Sequence, residues 1–328
     1  MVKRIFLIVA GSLIILAASA YAAFQLSPWP SVWLIRRSFA QGDEQARASA
    51  ASLVPAGISA QRGLSYDNKV RDARFDVFTP SSAKGPLPTV IWVHGGGYVA
   101  GSRDGLANYL QVLASRGFTT VGIDYSRAPG AQFPTPVRQT NEALAYLTAN
   151  AGRFNIDPKR IFLAGDSAGA QIVSQSALII SDPAYALRSG IRPGLPREAL
   201  RGLILYCGPH DPTMLKFEGP FGSFMRTVMW SYMGTRDPGK RAAEMAVVPY
   251  VTSSYPPAFI SVGNADGLAP QSVALANALR AKGVEADVLF FAPNHQPPLG
   301  HEYQMMLSTE AGKLAFDRSV SFLTVHAR

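Results

Sequence analysis

Cysteine is almost missing from this chain: Cys207 is the single one in 328 residues. An intrachain disulfide is therefore excluded, and a thiolate metal site would lack a second sulfur. Its neighbours Leu203-Ile204-Leu205-Tyr206 read as a buried strand, which makes Cys207 an inert core thiol. Charge is sparse as well, at 16% of residues. The net charge of +9 comes from 31 Lys and Arg against 22 Asp and Glu. These cations are scattered, with no basic tract or helix face beyond Lys3-Arg4 and Arg36-Arg37, so nucleic-acid binding has no footprint. An anionic lipid surface suits such a charge better. There is no HExxH pair, no Walker lysine and no GxGxxG spacing, so neither a metal nor a nucleotide cofactor is expected. Repeats and low-complexity tracts are lacking too. The composition, 48% hydrophobic with 29 Gly and 24 Pro, is that of a globular protein.

One long apolar run is present. Lys3-Arg4 precede a stretch from Ile5 to Phe24 with no charged side chain. Twenty helical residues at about 1.5 Å each cover roughly 30 Å, the thickness of a bilayer core. The segment 1–27 is expected to be a membrane anchor or a signal peptide. Ala18-Ser19-Ala20 and Ala20-Tyr21-Ala22 offer small-x-small cleavage sites. The length of the run, with Trp29 and Trp33 beyond it, favours a retained anchor. Either way the basic lead-in stays inside and the folded part is expected outside the cytoplasm, on the periplasmic side if two membranes are present.

Residues 28–70 read as a helical region, with a helix over Asp43 to Leu53 stopped by Pro55 and Gly57. Residues 71–328 then alternate between the two periods. Strands are expected at Arg71–Phe78, Thr89–Val93, Thr119–Ile123, Arg160–Ala164, Leu203–Tyr206, Ala258–Val262 and Ala286–Phe291. Helices are expected at Gly105–Ser115, Val137–Ala149, Ala168–Ile180, Gln271–Lys282 and Ala311–Thr324. This rhythm predicts an α/β fold with a mostly parallel sheet covered by helices on both faces. A long excursion at about 209–257 carries Phe217, Phe221, Phe224, Met225, Met229 and Trp230. It reads as a cap or lid lining a substrate pocket, or as an ordinary packed insertion.

Two glycine motifs sit at strand ends. Gly165-Asp166-Ser167-Ala168-Gly169 follows one strand and opens a helix. In such a turn the Ser167 hydroxyl projects, the Ala168 N–H faces a developing oxyanion, and glycines avoid clashes with neighbouring elements. His94-Gly95-Gly96-Gly97 follows an earlier strand, and successive glycines let N–H groups turn toward a tetrahedral intermediate. A serine nucleophile needs a base and the base an orienting acid, in the chain order Ser, Asp or Glu, His. Asp266, in the loop after Ala258–Val262, is the preferred acid, with Asp211 second because it reads as an Asp-Pro turn. Among the histidines after Ser167, His301 is the preferred base and His295 the alternative.

These segments closely resemble the hormone-sensitive-lipase-like branch of the α/β-hydrolases. The matching residues are His94 to Gly101, Asp124-Tyr125-Ser126-Arg127-Ala128-Pro129 with Phe133-Pro134, and Gly165 to Gly169. The resemblance covers roughly residues 70–325. It implies an esterase with a helical cap, oxyanion N–H groups from Gly96, Gly97 and Ala168, and an Asp166 that supports the serine turn. Three departures stand out. Gly130 replaces a glutamate, Asp266-Gly267-Leu268 lacks a later acid, and His301-Glu302-Tyr303 has glutamate where the family carries glycine. Counting back from the last helix supports His301; counting forward from Asp266 fits His295 nearly as well. The expected function is hydrolysis of carboxylic esters with short to medium acyl chains through an acyl-enzyme, the substrate being small or lipid-like. An amidase or peptidase with the same triad, or a non-catalytic binding protein, are the alternatives.

Overall fold

Eight strands form one sheet in the order β1-β2-β4-β3-β5-β6-β7-β8. The computed structural model describes residues 2–237 and 239–328. In chain order the elements are α1 (Val2–Leu26), α2 (Trp29–Ala51), β1 (Ile58–Ser65), β2 (Arg74–Pro80), β3 (Leu87–Val93), α3 (Arg103–Ala114), β4 (Thr119–Ile123), α4 (Thr135–Ala149) and β5 (Ile156–Asp166). There follow α5 (Ala168–Ser181), α6 (Pro183–Ser189), β6 (Leu200–Tyr206), α7 (Gly219–Met233), α8 (Gly239–Ala242), β7 (Ala258–Val262), α9 (Ala269–Ala281), β8 (Ala286–Phe290) and α10 (Glu310–His326). Strands β1 and β2 are antiparallel to their neighbours, and all pairings from β4 to β8 are parallel.

The central strands are apolar almost throughout because both faces are buried. Along β3, Ile91 and Val93 point into one core while Val90 and Trp92 point into the other. Along β5, Ile161 and Leu163 alternate with Phe162 and Ala164 in the same way. The first core is closed by α4, α5 and α9, through residues such as Leu144, Ile172 and Leu275. The second is closed by α3 and α10, through Leu110, Leu113 and Phe316. Period-two strands between period-3.6 helices thus account for the layers.

The region 28–70 differs from the helical expectation. Helix α2 does run from Trp29 to Ala51, but Ile58–Ser65 is a strand pairing with β2 at the sheet edge. Pro55 and Gly57 end the helical stretch, and an edge strand facing solvent needs no run of apolar residues: Ser59 to Gly63 are all exposed. Helix α2 is fixed to the body by Arg36, whose Nε donates to the Val99 carbonyl at 2.8 Å and Nη2 to that of Ala128 at 3.0 Å. Ahead of it, α1 is long and apolar enough to cross a membrane, and none of its residues is buried. Helix α7, within the 209–257 excursion, packs on the body through Tyr232, stacked on Tyr98 with ring centres 4.0 Å apart.

Candidate active site

The carboxyl ends of β3, β5, β6, β7 and β8 lie along one edge of the sheet, and the loops leaving them carry the polar groups. Register pairs Val93 with Gly165, Asp166 with Tyr206, and Tyr206 with Ser261. The residues just beyond these strand ends are therefore side by side, at a place where α/β sheets carry ligand sites.

Ser167 sits between β5 and α5 with φ 51° and ψ −119°. This left-handed backbone is uncommon for a side-chain-bearing residue and turns the hydroxyl out of the chain path. Its flanks have no room for a Cβ. One on Gly169 would come to 2.0 Å from the Val93 carbonyl oxygen, and one on Gly165 to 2.5 Å from the Gly169 carbonyl carbon. The Ser167 N–H donates to the Tyr206 carbonyl at 2.8 Å, tying the turn to β6.

The structure brings Ser167, His301 and Asp266 together and leaves His295 elsewhere. Ser167 Oγ lies 2.9 Å from His301 Nε2, and His301 Nδ1 lies 2.7 Å from Asp266 Oδ2. A carboxylate only accepts, so Nδ1 carries the proton and Nε2 is free to accept from the serine hydroxyl. Asp266 is buried, and its other oxygen accepts the Leu268 N–H at 2.8 Å. His295 packs against Phe291 and lines a separate cavity beside the Pro-rich loop. Asp211 caps the single turn Pro212–Met214 by accepting the Thr213 N–H, as an Asp-Pro turn does. His210 is fully buried, its Nδ1 bonded to Ser174 on α5, and burial pushes its pKa down to about 3.

Burial works against an imidazolium at His301, but the Asp266 hydrogen bond and the nearby Glu302 carboxylate favour it and hold the imidazole above its ordinary value. Burial also pushes the Cys207 thiol up to about 11, so it is neutral near pH 7. Cys207, Asp266 and His301 offer three ligand atoms within 4.8 Å of one another. Thiolate ligation would require that raised thiol to lose its proton, and Nδ1 is already engaged with Asp266. The contact between Cys207 and His301 was not foreseen in the sequence. The signal for it is positional: Cys207 stands directly after β6, on the same sheet edge as Ser167.

The glycine loop after β3 is braced from several sides. Asp166 Oδ2 accepts the Gly95 N–H at 2.8 Å and its Oδ1 accepts Trp92 Nε1–H at 2.7 Å. His94 stacks on Tyr125 at 4.3 Å, while the Tyr125 hydroxyl reaches the His94 and Gly95 carbonyls at 3.2 Å. Arg127 Nη1 donates to the Gly101 carbonyl. The Asp124–Arg127 segment thereby holds the loop in shape. Gly96 has φ 98°, and the N–H groups of Val99 and Ala100 both turn back onto its carbonyl. Among the described residues, none accepts from the Gly96 or Gly97 N–H. Gly97, Ser167, Ala168 and His301 line one small cavity of about 40 Å³, walled by Phe39 of α2 and by Phe221, Phe224 and Val228 of α7. A wider cavity of about 310 Å³ reaches His301 from the other side, between α2 and the glycine loop.

Residues 90–295 match the family described as the alpha/beta hydrolase fold. The chain belongs to this family. Among relatives of this α/β-hydrolase, an esterase of Gibberella moniliformis is 30% identical over 213 residues, which cover 62% of this chain and 64% of that protein. An acetyl esterase of Salmonella paratyphi B is 28% identical over 167 residues, 48% of this chain and 47% of that protein. The chain thus spans about half to two thirds of the length of these relatives. An inhibited esterase B from Lactobacillus rhamnosis has the same fold, with a TM-score of 0.76 at 22% identity, covering 89% of this chain and 96% of that one.

Proposed function

We propose that this α/β-hydrolase is a serine carboxylesterase acting on short-chain acyl esters through an acyl-enzyme. The observation that carries the reading is the continuous relay from Ser167 Oγ through His301 to Asp266, with separations of 2.9 and 2.7 Å. Ser167 attacks the acyl carbon while its proton passes to Nε2 of His301. Asp266 keeps the proton on Nδ1 and balances the imidazolium. The Gly96, Gly97 and Ala168 N–H groups receive the oxyanion, and having no internal acceptor for the two glycine donors supports that role. The proton on Nε2 then leaves with the alcohol, and a water repeats the sequence to free the acid.

The narrow cavity at Ser167 supports a short acyl group, since about 40 Å³ holds only a few atoms. The names of the two relatives, an esterase and an acetyl esterase, agree with such a substrate. Helix α7 serves as the lid over that cavity, with α2 as its second wall. Helix α1 acts as a retained membrane anchor, with the body outside the cytoplasm; the exposed Trp29 and Trp33, each under an arginine guanidinium at 5.5 and 5.9 Å, support an interfacial position.

The test is a panel of p-nitrophenyl esters of increasing chain length with wild type and Ser167→Ala. Acetate and butyrate are expected to turn over best, with a loss of at least about 10³-fold in Ser167→Ala and no loss of fold. Undiminished turnover in that variant, or preference for anilides over esters, would refute the reading.

A further inference from the structure

Glu302, next to His301, has φ 59° and ψ 23°, in the left-handed region that favours glycine. Its side chain is only about 30% exposed, and Oε1 lies 3.8 Å from His301 Nε2. Among the described residues, no lysine or arginine pairs with it. The imidazole therefore lies between two carboxylates, Asp266 at Nδ1 and Glu302 on the Nε2 side. Gly95 makes this approach possible. A Cβ there would stand 2.8 Å from Glu302 Oε1 and 2.3 Å from Asp166 Oδ2.

We infer that Glu302 is a positioning residue for acyl transfer, its carboxylate stabilising the imidazolium that His301 becomes when Ser167 gives up its proton. The inference rests on the Ser167–His301 relay proposed above. At rest Nε2 is engaged by the serine hydroxyl at 2.9 Å, and Glu302 stands farther off. When the proton moves from Oγ to Nε2, a positive charge forms between two negative ones. The same proton then passes to the leaving oxygen, so Glu302 takes up none. Its influence is electrostatic and largest where the charge is largest.

The surroundings agree. Facing His301 are Asp266 from the loop after β7, Cys207 from the end of β6, and Glu302 itself. Facing Glu302 are Asp166 at the end of β5 and Asp43 of α2, with Arg47 and Arg127 near Asp43. Asp166 is pushed up to about 8 by burial and then by the Glu302 charge; Asp43 is pushed up to about 6 by the same two causes. Only neutral imidazole accepts the serine proton, so kcat/KM rises with pH as the imidazolium is lost. A raised His301 sets this rise above the ordinary histidine range, and deleting the Glu302 charge lowers it.

The experiment measures kcat and KM for p-nitrophenyl acetate across the neutral and alkaline range in wild type, Glu302→Gln and Glu302→Gly. An opposite charge this close moves a titration by about 1–3 pH units. Both variants are expected to shift the rising limb down by roughly one unit, with several-fold lower plateau kcat and nearly unchanged KM. Glycine suits the backbone at 302, so Glu302→Gly should melt no lower than wild type. A purely structural role would instead move stability and leave the limb in place. An unmoved limb in two folded variants overturns the inference. Labelling of wild type by a phosphonate, lost in Ser167→Ala, shows that the underlying relay still stands in that case; failure of the labelling takes both down.

Discussion

At the scale of single residues, steric exclusion and charge do different work around Ser167. Gly169 is a packing requirement, because a methyl group there has nowhere to go but into the Val93 carbonyl. Gly169→Ala is expected to cost more than about 3 kcal/mol, as overpacking against backbone does; a denaturant midpoint close to wild type would contradict it. Asp266 and His301 instead act, in the proposed relay, through charge and proton position, at 2.7 Å from each other. The serine turn and the glycine loop were readable from the sequence because each is a contiguous string whose conformation is dictated locally. The base was not fixed there: His295 and His301 both follow the last strand, and only the path of the Pro-rich loop decides which reaches Ser167. The contacts of Cys207 and Glu302 were unreadable for the same reason. Their positions, directly after β6 and beside His301, are visible in the sequence, but their approach to the imidazole through space is not.

Among the elements, those with two buried faces were the most legible. Strands β4 and β7 coincide with the stretches expected from their apolar runs, and β3, β5 and β6 are longer by a few residues. Strand β1 escaped notice because its side chains are mostly exposed and its stability comes from hydrogen bonds to β2. Helix α2 starts at Trp29, at the front of the region 28–70 read as helical, but the sequence marks helix bounds within it only for Asp43 to Leu53. Yet α2 supplies Phe39, which stacks on Phe224 of α7 at 6.1 Å across the Ser167 cavity. Phe224 is only half-buried, so Phe224→Ala should leave α7 in place while lengthening the cavity. The kcat/KM ratio of p-nitrophenyl hexanoate to acetate is expected to rise at least about fivefold in that variant, an estimate resting on the cost of rejecting one or two methylenes. An unchanged ratio would mean that acyl length is limited elsewhere.

For the whole molecule, the proposal for α1 makes a physical demand: the mature chain should sediment with membranes and resist a carbonate wash, with N-terminal sequencing recovering residues before Ala20. A soluble chain beginning after Ala20 or Ala22 would identify α1 as a removed signal. The joint between α1 and α2 gives this its consequence. Only Ser27 and Pro28 separate the two helices, and Arg36 clamps the second to the body. From Leu26 to Phe39 is thirteen residues, about 20 Å of helical rise. With α1 seated in lipid, such a leash has no slack. The pocket then patrols a thin layer above one leaflet, where a greasy ester is concentrated by partitioning and the encounter becomes a search in two dimensions.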